Sequence, residues 1–138
     1  MIKEIEVIED IIRQFPQTEI ETRHYFAGGI YEREIHVPQG TIITGKIHLT
    51  EHLAKLVHGV LRIISEDEQA VFVGPHTFVS HPGIKRLGYA DTDVVFSTFH
   101  HVGDKTDIEE IEKSLVVDTL EQYLEHEGKQ RERLECHL

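Results

Sequence analysis

The sequence predicts a mainly β, single-domain barrel with a helix packed outside it at the N-terminal end and further helices at the C-terminal end. Three observations predict this fold. The 138 residues suffice for one hydrophobic core, which at this size buries roughly two thirds of the surface of the unfolded chain. Between residues 18 and 102 the chain breaks into short runs rich in Ile, Val, Thr, Tyr and Phe, separated by Gly, Pro and Asp. Outside that stretch, over residues 1–16 and 106–128, apolar residues recur at the spacing of a helix, and residues 129–138 are mostly charged and read as a tail.

Over residues 2–15, Ile5, Ile8, Ile12 and Phe15 fall at intervals of three and four, with Glu4, Glu6, Glu9, Asp10 and Arg13 largely elsewhere. The spacing predicts an amphipathic helix that ends near Pro16 and covers an end or face of a sheet. Strands are expected at about 19–26, 30–37, 41–49, 52–58, 60–65, 69–73, 77–80, 84–90 and 93–101. Turn chemistry marks the breaks: Gly28-Gly29, Pro38-Gln39-Gly40, His58-Gly59, Glu66-Asp67-Glu68, Gly74-Pro75, Pro82-Gly83 and Asp91-Thr92-Asp93. Strands this short and closely spaced indicate a sandwich or barrel, not parallel βαβ units. Thr106-Asp107-Ile108-Glu109 fits a capping box opening a helix that carries Ile108, Ile111 and Leu115. Asp118 is the expected cap of a second helix, with Leu120, Tyr123 and Leu124 on one side and Gly128 as its stop.

Composition narrows the function. The chain has 25 acidic against 14 basic residues, a formal charge of −11, which argues against generic nucleic-acid binding because phosphate contacts need a basic face. Cys136 is the only cysteine, so no internal disulfide forms and a cytoplasmic location is the default expectation. Residues Met1 to Glu6 interleave acids with apolar residues, unlike a signal peptide, and no apolar run approaches membrane-spanning length, so no membrane partner is expected. A homodimer is a reasonable expectation, because exposed strand edges are commonly covered by a second copy. The 11 histidines are many for this length, and imidazole both ligates metals and carries protons near neutral pH.

The informative stretch is Gly40 to Gly59. In a strand, residues two apart share a face, so Thr44, Lys46 and His48 point one way and Ile43, Gly45 and Ile47 the other. A tight Leu49-Thr50-Glu51 connection brings His48 close to His52, near enough for one divalent metal ion. A third ligand must come from elsewhere. Alternation turns Glu51 away, whereas His100, near the end of the last strand, is well placed if that strand lies beside the pair. Without a metal, the same histidines read as hydrogen-bonded interior residues. Tyr25, Tyr31 and Tyr89 are candidate hydrogen-bond donors to a ligand, although tyrosines in strands are more often core or rim residues. No ligand spacing connects His24, His36, His58, His76, His81 and His101. Ser80, Ser97 and Cys136 lack a neighbouring base and orienting acid, and no helix follows Gly28-Gly29 to make a phosphate loop.

The spacing Gly40, Lys46, His48, His52, Gly59 resembles the first motif of the cupin superfamily, with Lys46 where a first histidine is expected and His52 where a glutamate is expected. The second cupin motif is degenerate: in His81-Pro82-Gly83-Ile84-Lys85-Arg86, Gly83 matches its glycine, Arg86 falls at its ligand histidine and Ala90 at its asparagine. The runs Arg33–Pro38, Thr44–His48, Glu51-His52, Thr77–Ser80, Gly83–Ala90 and Phe99-His100 are also similar to small cupin-like proteins of phage and bacterial genomes. The resemblance implies a cupin-like jelly-roll barrel with its site in the interior. Of the family's metal ligands only His48 carries over; with the departures taken at face value, His48, His52 and His100 form an alternative three-histidine metal-binding set, with Lys46, Arg86 and Tyr89 as ligand-binding residues. Arg86 paired with an acid such as Glu34 or Asp93 is the structural alternative.

The implied cofactor is a divalent transition metal (Fe, Mn, Ni or Zn), and the implied partner a small anionic molecule on which the protein acts. A non-catalytic module for a sugar, nucleotide or other anion, or a phage structural or accessory protein, are the alternatives.

Overall fold

The computed structural model describes residues 1–66 and 68–136. Helix α1 (Ile2–Ile12) leads into β1 (Glu21–Ala27), β2 (Ile30–Val37), β3 (Ile42–Thr44), β4 (Ile47–His48) and β5 (His52–His58). There follow β6 (Val60–Ile64), β7 (Gln69–Val73), β8 (His76–Ser80), β9 (Leu87–Ala90) and β10 (Val94–His101), and then α2 (Ile108–Leu115), β11 (Val116–Val117) and α3 (Leu120–Cys136). The predicted Glu66-Asp67-Glu68 turn includes Asp67, which lies outside the described residues, as do positions 137 and 138 of the predicted tail.

The strands make a five-stranded sheet in the order β1-β2-β10-β5-β8 and a four-stranded sheet in the order β3-β9-β6-β7. Each ladder is antiparallel, so alternate residues of each strand face inward. Val37, Leu56 and Val94 from one sheet pack with Leu61, Ile63 and Ala90 from the other, so the core lies between the two sheets. Gly59, at φ +100°, turns the chain from β5 in the first sheet to β6 in the second, and its carbonyl accepts from the Gly74 N–H at 2.8 Å where the chain crosses back. A β-carbon at Gly59 would collide with the carbonyl oxygen of Asp93, so only glycine fits this corner. Among the described residues no ladder joins the two large sheets into a closed ring. The fold is therefore mainly β with two facing sheets, and the described ladders do not by themselves close the expected jelly-roll barrel.

The predicted strand over 41–49 is two strands. Gly45 and Lys46 interrupt it: the Gly45 N–H still bonds the Arg86 carbonyl at 3.0 Å, but β4 then leaves β9 and pairs with β11, His48 opposite Val116. The interruption resets the alternation, so Ile43 on β3 and His48 on β4 both face the interior although they are an odd number of residues apart. The predicted 84–90 strand is shorter, beginning at Leu87.

At the N-terminus the buried residues of α1 are Ile2 and Ile5, while Ile8 and Phe15 of the predicted apolar face are exposed. The helix is rotated because its carboxylates are needed inside. Glu9 pairs with the fully buried Lys85 at 2.7 Å and accepts from Thr44 Oγ1 at 2.7 Å, and Glu6 accepts the Leu120 N–H at 2.8 Å. Lys85 also donates to the Asp118 carbonyl at 3.0 Å.

Both C-terminal caps sit one residue later than predicted. Asp107, not Thr106, caps α2 by accepting the Glu109 N–H. Thr119, not Asp118, caps α3: its hydroxyl accepts the Gln122 N–H, and Gln122 reaches back to the Asp118 and Thr119 N–H groups. Helix α3 runs through Gly128 to Cys136, so the residues expected as a tail are largely helical. Helix α2 lays Ile111 and Leu115 over Tyr31, closing one end of the five-stranded sheet. No helix among the described residues is long and apolar enough to cross a membrane.

Candidate metal centre

Three strands converge on one point. His48 is fixed through its backbone, since its carbonyl accepts the Gly83 N–H at 3.0 Å and the next N–H, of Leu49, bonds the Leu115 carbonyl at 2.7 Å. The turn through residues 49–51 then starts β5 at His52, whose strand partner is Ser80. His100 comes from β10, which lies beside β5 with Phe99 opposite Leu53. The candidate ligand atoms of His48, His52 and His100 all lie within 4.8 Å of one another, and their rings are 4.1 Å (His48–His52), 4.6 Å (His52–His100) and 5.5 Å (His48–His100) apart at the centroids.

The environment keeps these rings neutral. Burial is the first cause in each case. His48 falls to about 3, helped by the neighbouring His52 and His100 and by Arg86 and Arg33. His100 falls to about 4, with His52 and Arg33 contributing, and His52 is lowered as well, with Arg86 contributing. Neutral imidazole is the form that coordinates metals.

Two hydrogen bonds also orient the rings. His52 Nδ1 donates to the Thr50 carbonyl at 3.2 Å, which leaves the lone pair on Nε2. His100 Nε2 sits 2.9 Å from Thr98 Oγ1, while His100 Nδ1 is buried with no hydrogen-bond partner. With Nε2–H donating to the threonine, the orphaned Nδ1 lone pair is available to a cation, and such partners of the non-ligating nitrogen commonly accompany metal-bound histidine. The donor set therefore fits a transition metal: three neutral nitrogens gathered within 4.8 Å of one another, the neighbourhood that one ion with metal–nitrogen bonds of about 2.0–2.1 Å needs.

The histidines line a cavity of about 340 Å³ between the sheets. Around them lie Arg33, Arg86, Thr98 and Ser80, and beyond them an aliphatic wall that includes Ile35, Ile43, Leu61, Ile63 and Phe96. Arg86 is clamped by Ser80, whose Oγ accepts from Nη1 at 2.8 Å, and by the Phe78 ring, 5.3 Å from the guanidinium carbon. The acids expected as its partners are engaged elsewhere: Glu34 contacts His36 at 2.9 Å, and Asp93 accepts the Gln39 N–H at 2.8 Å. Lys46 lines the cavity but is half exposed, 3.6 Å from Asp118 and 3.9 Å from Glu112. Tyr89 lies outside the lining. Its strand turns Gly88 and Ala90 inward, so Tyr89 faces solvent, 39% exposed. Glu51 is exposed beside His81.

Sequence reasoning missed Arg33 and Thr98 as cavity residues. The signal for Arg33 is its place in the alternation Tyr31, Arg33, Ile35, Val37, an arginine on the apolar face of a strand. Thr98 has none, because only the pairing of β10 with β2 and β5 places it beside the site.

No protein-family model and no curated protein matches the sequence. Solved structures do match the fold. A cupin superfamily protein from Desulfitobacterium hafniense superposes with a TM-score of 0.52 at 7% identity, covering 64% of this chain and 82% of that one. The chain has a cupin-like fold. The same cupin-like core is found in salicylate 1,2-dioxygenase from Pseudoaminobacter salicylatoxidans, with a TM-score of 0.55 at 14% identity over 83% of this chain and 32% of the dioxygenase. It recurs in acetylacetone dioxygenase from Acinetobacter johnsonii, with a TM-score of 0.51 at 14% identity over 63% of this chain and 65% of that one. The chain thus spans about a third of the first dioxygenase and just under two thirds of the second. In this fold His48 and His52 come from the Gly40–Gly59 segment, and His100 comes from β10, the central strand of the five-stranded sheet.

Proposed function

We propose that this protein holds a divalent transition metal through His48, His52 and His100 and acts on a small anionic molecule in the cavity beside them. The convergence of three buried, neutral imidazoles on one point carries the reading. An all-imidazole set without a carboxylate suits iron, nickel or zinc better than manganese. When bound, such a metal supplies a Lewis acid that polarises a coordinated ligand oxygen.

The chain's own residues do the rest. Thr50 and Thr98 hold the rings, Arg33 and Arg86 attract and orient the anionic group, and the aliphatic wall excludes water around the bound molecule. Two neighbours in fold are named as dioxygenases of small organic molecules; at 14% identity that likeness concerns the fold, so the reading rests on the histidines.

The test is elemental analysis of protein purified without a metal-affinity tag, before and after reconstitution. Close to one equivalent of metal per chain is expected, with His48→Ala losing it while its circular dichroism stays native. Wild-type protein that retains no transition metal after reconstitution would overturn the reading. A homodimer formed over an exposed sheet edge such as β1 or β8 is part of the same proposal, and a sedimentation run showing only monomer would remove it.

A further inference from the structure

We infer that the cavity takes a monocarboxylate with a compact apolar body, its carboxylate held by Arg33. The inference rests on the cavity being the ligand site proposed above, but not on the metal. Arg33 is on β2 with its side chain partly buried in the cavity lining. It makes no hydrogen bond or ion pair to any described residue, in a chain with 25 acids available to neutralise it. The acids that flank it in sequence are turned to the other face of the sheet: Glu32 accepts from Ser97 Oγ at 2.8 Å, and Glu34 contacts His36. A second deeply placed cation, Lys85, is paired with Glu9 at 2.7 Å. A half-buried guanidinium is costly without a counter-charge, and its planar fork of donors matches the two oxygens of a carboxylate.

Its position ties it to the histidines. Arg33 is the cross-strand partner of Thr98, and Thr98 contacts His100, so an anion on Arg33 sits next to the cluster. Its charge is also among the causes that lower His48 and His100.

The rest of the cavity favours a compact, apolar body on that carboxylate. Its volume of about 340 Å³ lies at the lower end of the range of small-molecule pockets, about 300–1,000 Å³, which suits a compact ligand. The wall of Ile35, Ile43, Leu61, Ile63 and Phe96 offers no side-chain hydrogen bonds, so the part of a ligand that lies against it is apolar. A phosphate gains from a helix N-terminus, but the helix that reaches this cavity, α2, contributes Ile111, Glu112 and Leu115, from its middle and C-terminal end and not from its first turn.

The experiment compares benzoate, 3-methylbutanoate and hexanoate with their neutral amides and with acetate and inorganic phosphate. Thermal shift and calorimetric titration are run on the chelator-treated and the cobalt-loaded full chain. At least one of the three carboxylates should bind at least tenfold more tightly than its amide, than acetate and than phosphate. Arg33→Gln should abolish that preference while retaining native circular dichroism and the cobalt absorption spectrum of the wild type. If every amide binds as well as its acid, if none of the three carboxylates binds, if phosphate binds best, or if Arg33→Gln keeps the preference, the inference is overturned. Failure of cobalt to bind wild-type protein would instead sink the metal reading and leave the carboxylate preference to be judged on the chelator-treated chain.

Discussion

Acidification should destabilise the metal-free protein through its buried histidines. His48 and His100 titrate near 6.5 when exposed, as in the unfolded chain, but at about 3 and about 4 in the fold. Below the unfolded value the unfolded chain binds protons that the folded chain refuses, so stability is complete above about pH 6.5 and falls as pH drops towards the folded values. At about pH 5, each of the two histidines costs roughly 2 kcal/mol, about 1.4 kcal/mol per pH unit below the unfolded value, or about 4 kcal/mol together. His52, lowered for the same first reason, acts in the same direction. An unfolding entropy of about 2.1 cal/mol/K per residue comes to about 0.3 kcal/mol/K for a chain this long, so the melting temperature should fall by about 14 °C between about pH 7.5 and about pH 5. Differential scanning calorimetry of chelator-treated wild type beside His48→Gln/His100→Gln measures it, because the double variant keeps polar side chains but loses both titrations. An equal fall in the two proteins, or none in the wild type, would refute the reasoning.

Glu9→Gln removes the counter-charge of Lys85, whose side chain is 1% exposed, and should cost about 3–5 kcal/mol, lowering the melting temperature by about 10–17 °C. A change below about 1 kcal/mol would mean that the pair contributes as little as an exposed one does. Gly59→Ala places a methyl against the Asp93 carbonyl and Thr92 at a residue with φ +100°, and should lower the denaturant midpoint by the equivalent of at least about 2 kcal/mol with an unchanged slope. A neutral result there would show that the sheet-crossing corner relaxes freely.

Much of the fold was legible because much of it is local. The three-and-four spacing marked α1, and the two-residue alternation with its glycine and proline breaks marked β2, β5, β6, β7 and β10 closely. Misses occurred where a distant partner overrode a local pattern. Ile8 and Phe15 match a helical stripe, yet the inner face of α1 includes Glu9 because Lys85 lies buried beneath it. The strand through Gly45 continues by pattern, but β4 swings away to pair with Val116 and Val117, a two-residue strand that its own sequence does not announce.

The sequence by itself determined that His48 and His52 meet, because a three-residue turn between strands leaves two neighbouring side chains little choice. It also determined that a charge-rich chain with one cysteine must build its core from short aliphatic strands. Only the tertiary structure decided which histidine completes the cluster. The order β1-β2-β10-β5-β8 inserts the last strand between the second and the fifth, carrying His100 to His52 on one side and Thr98 to Arg33 on the other. Likewise the pleat of β9, set by its pairing with β3 and β6, turned Tyr89 to solvent, and the pairing of β2 with β10 kept Arg33 in the cavity. Strand order and register are set by the packing of the two sheets around one core, over sequence separations that no local periodicity records.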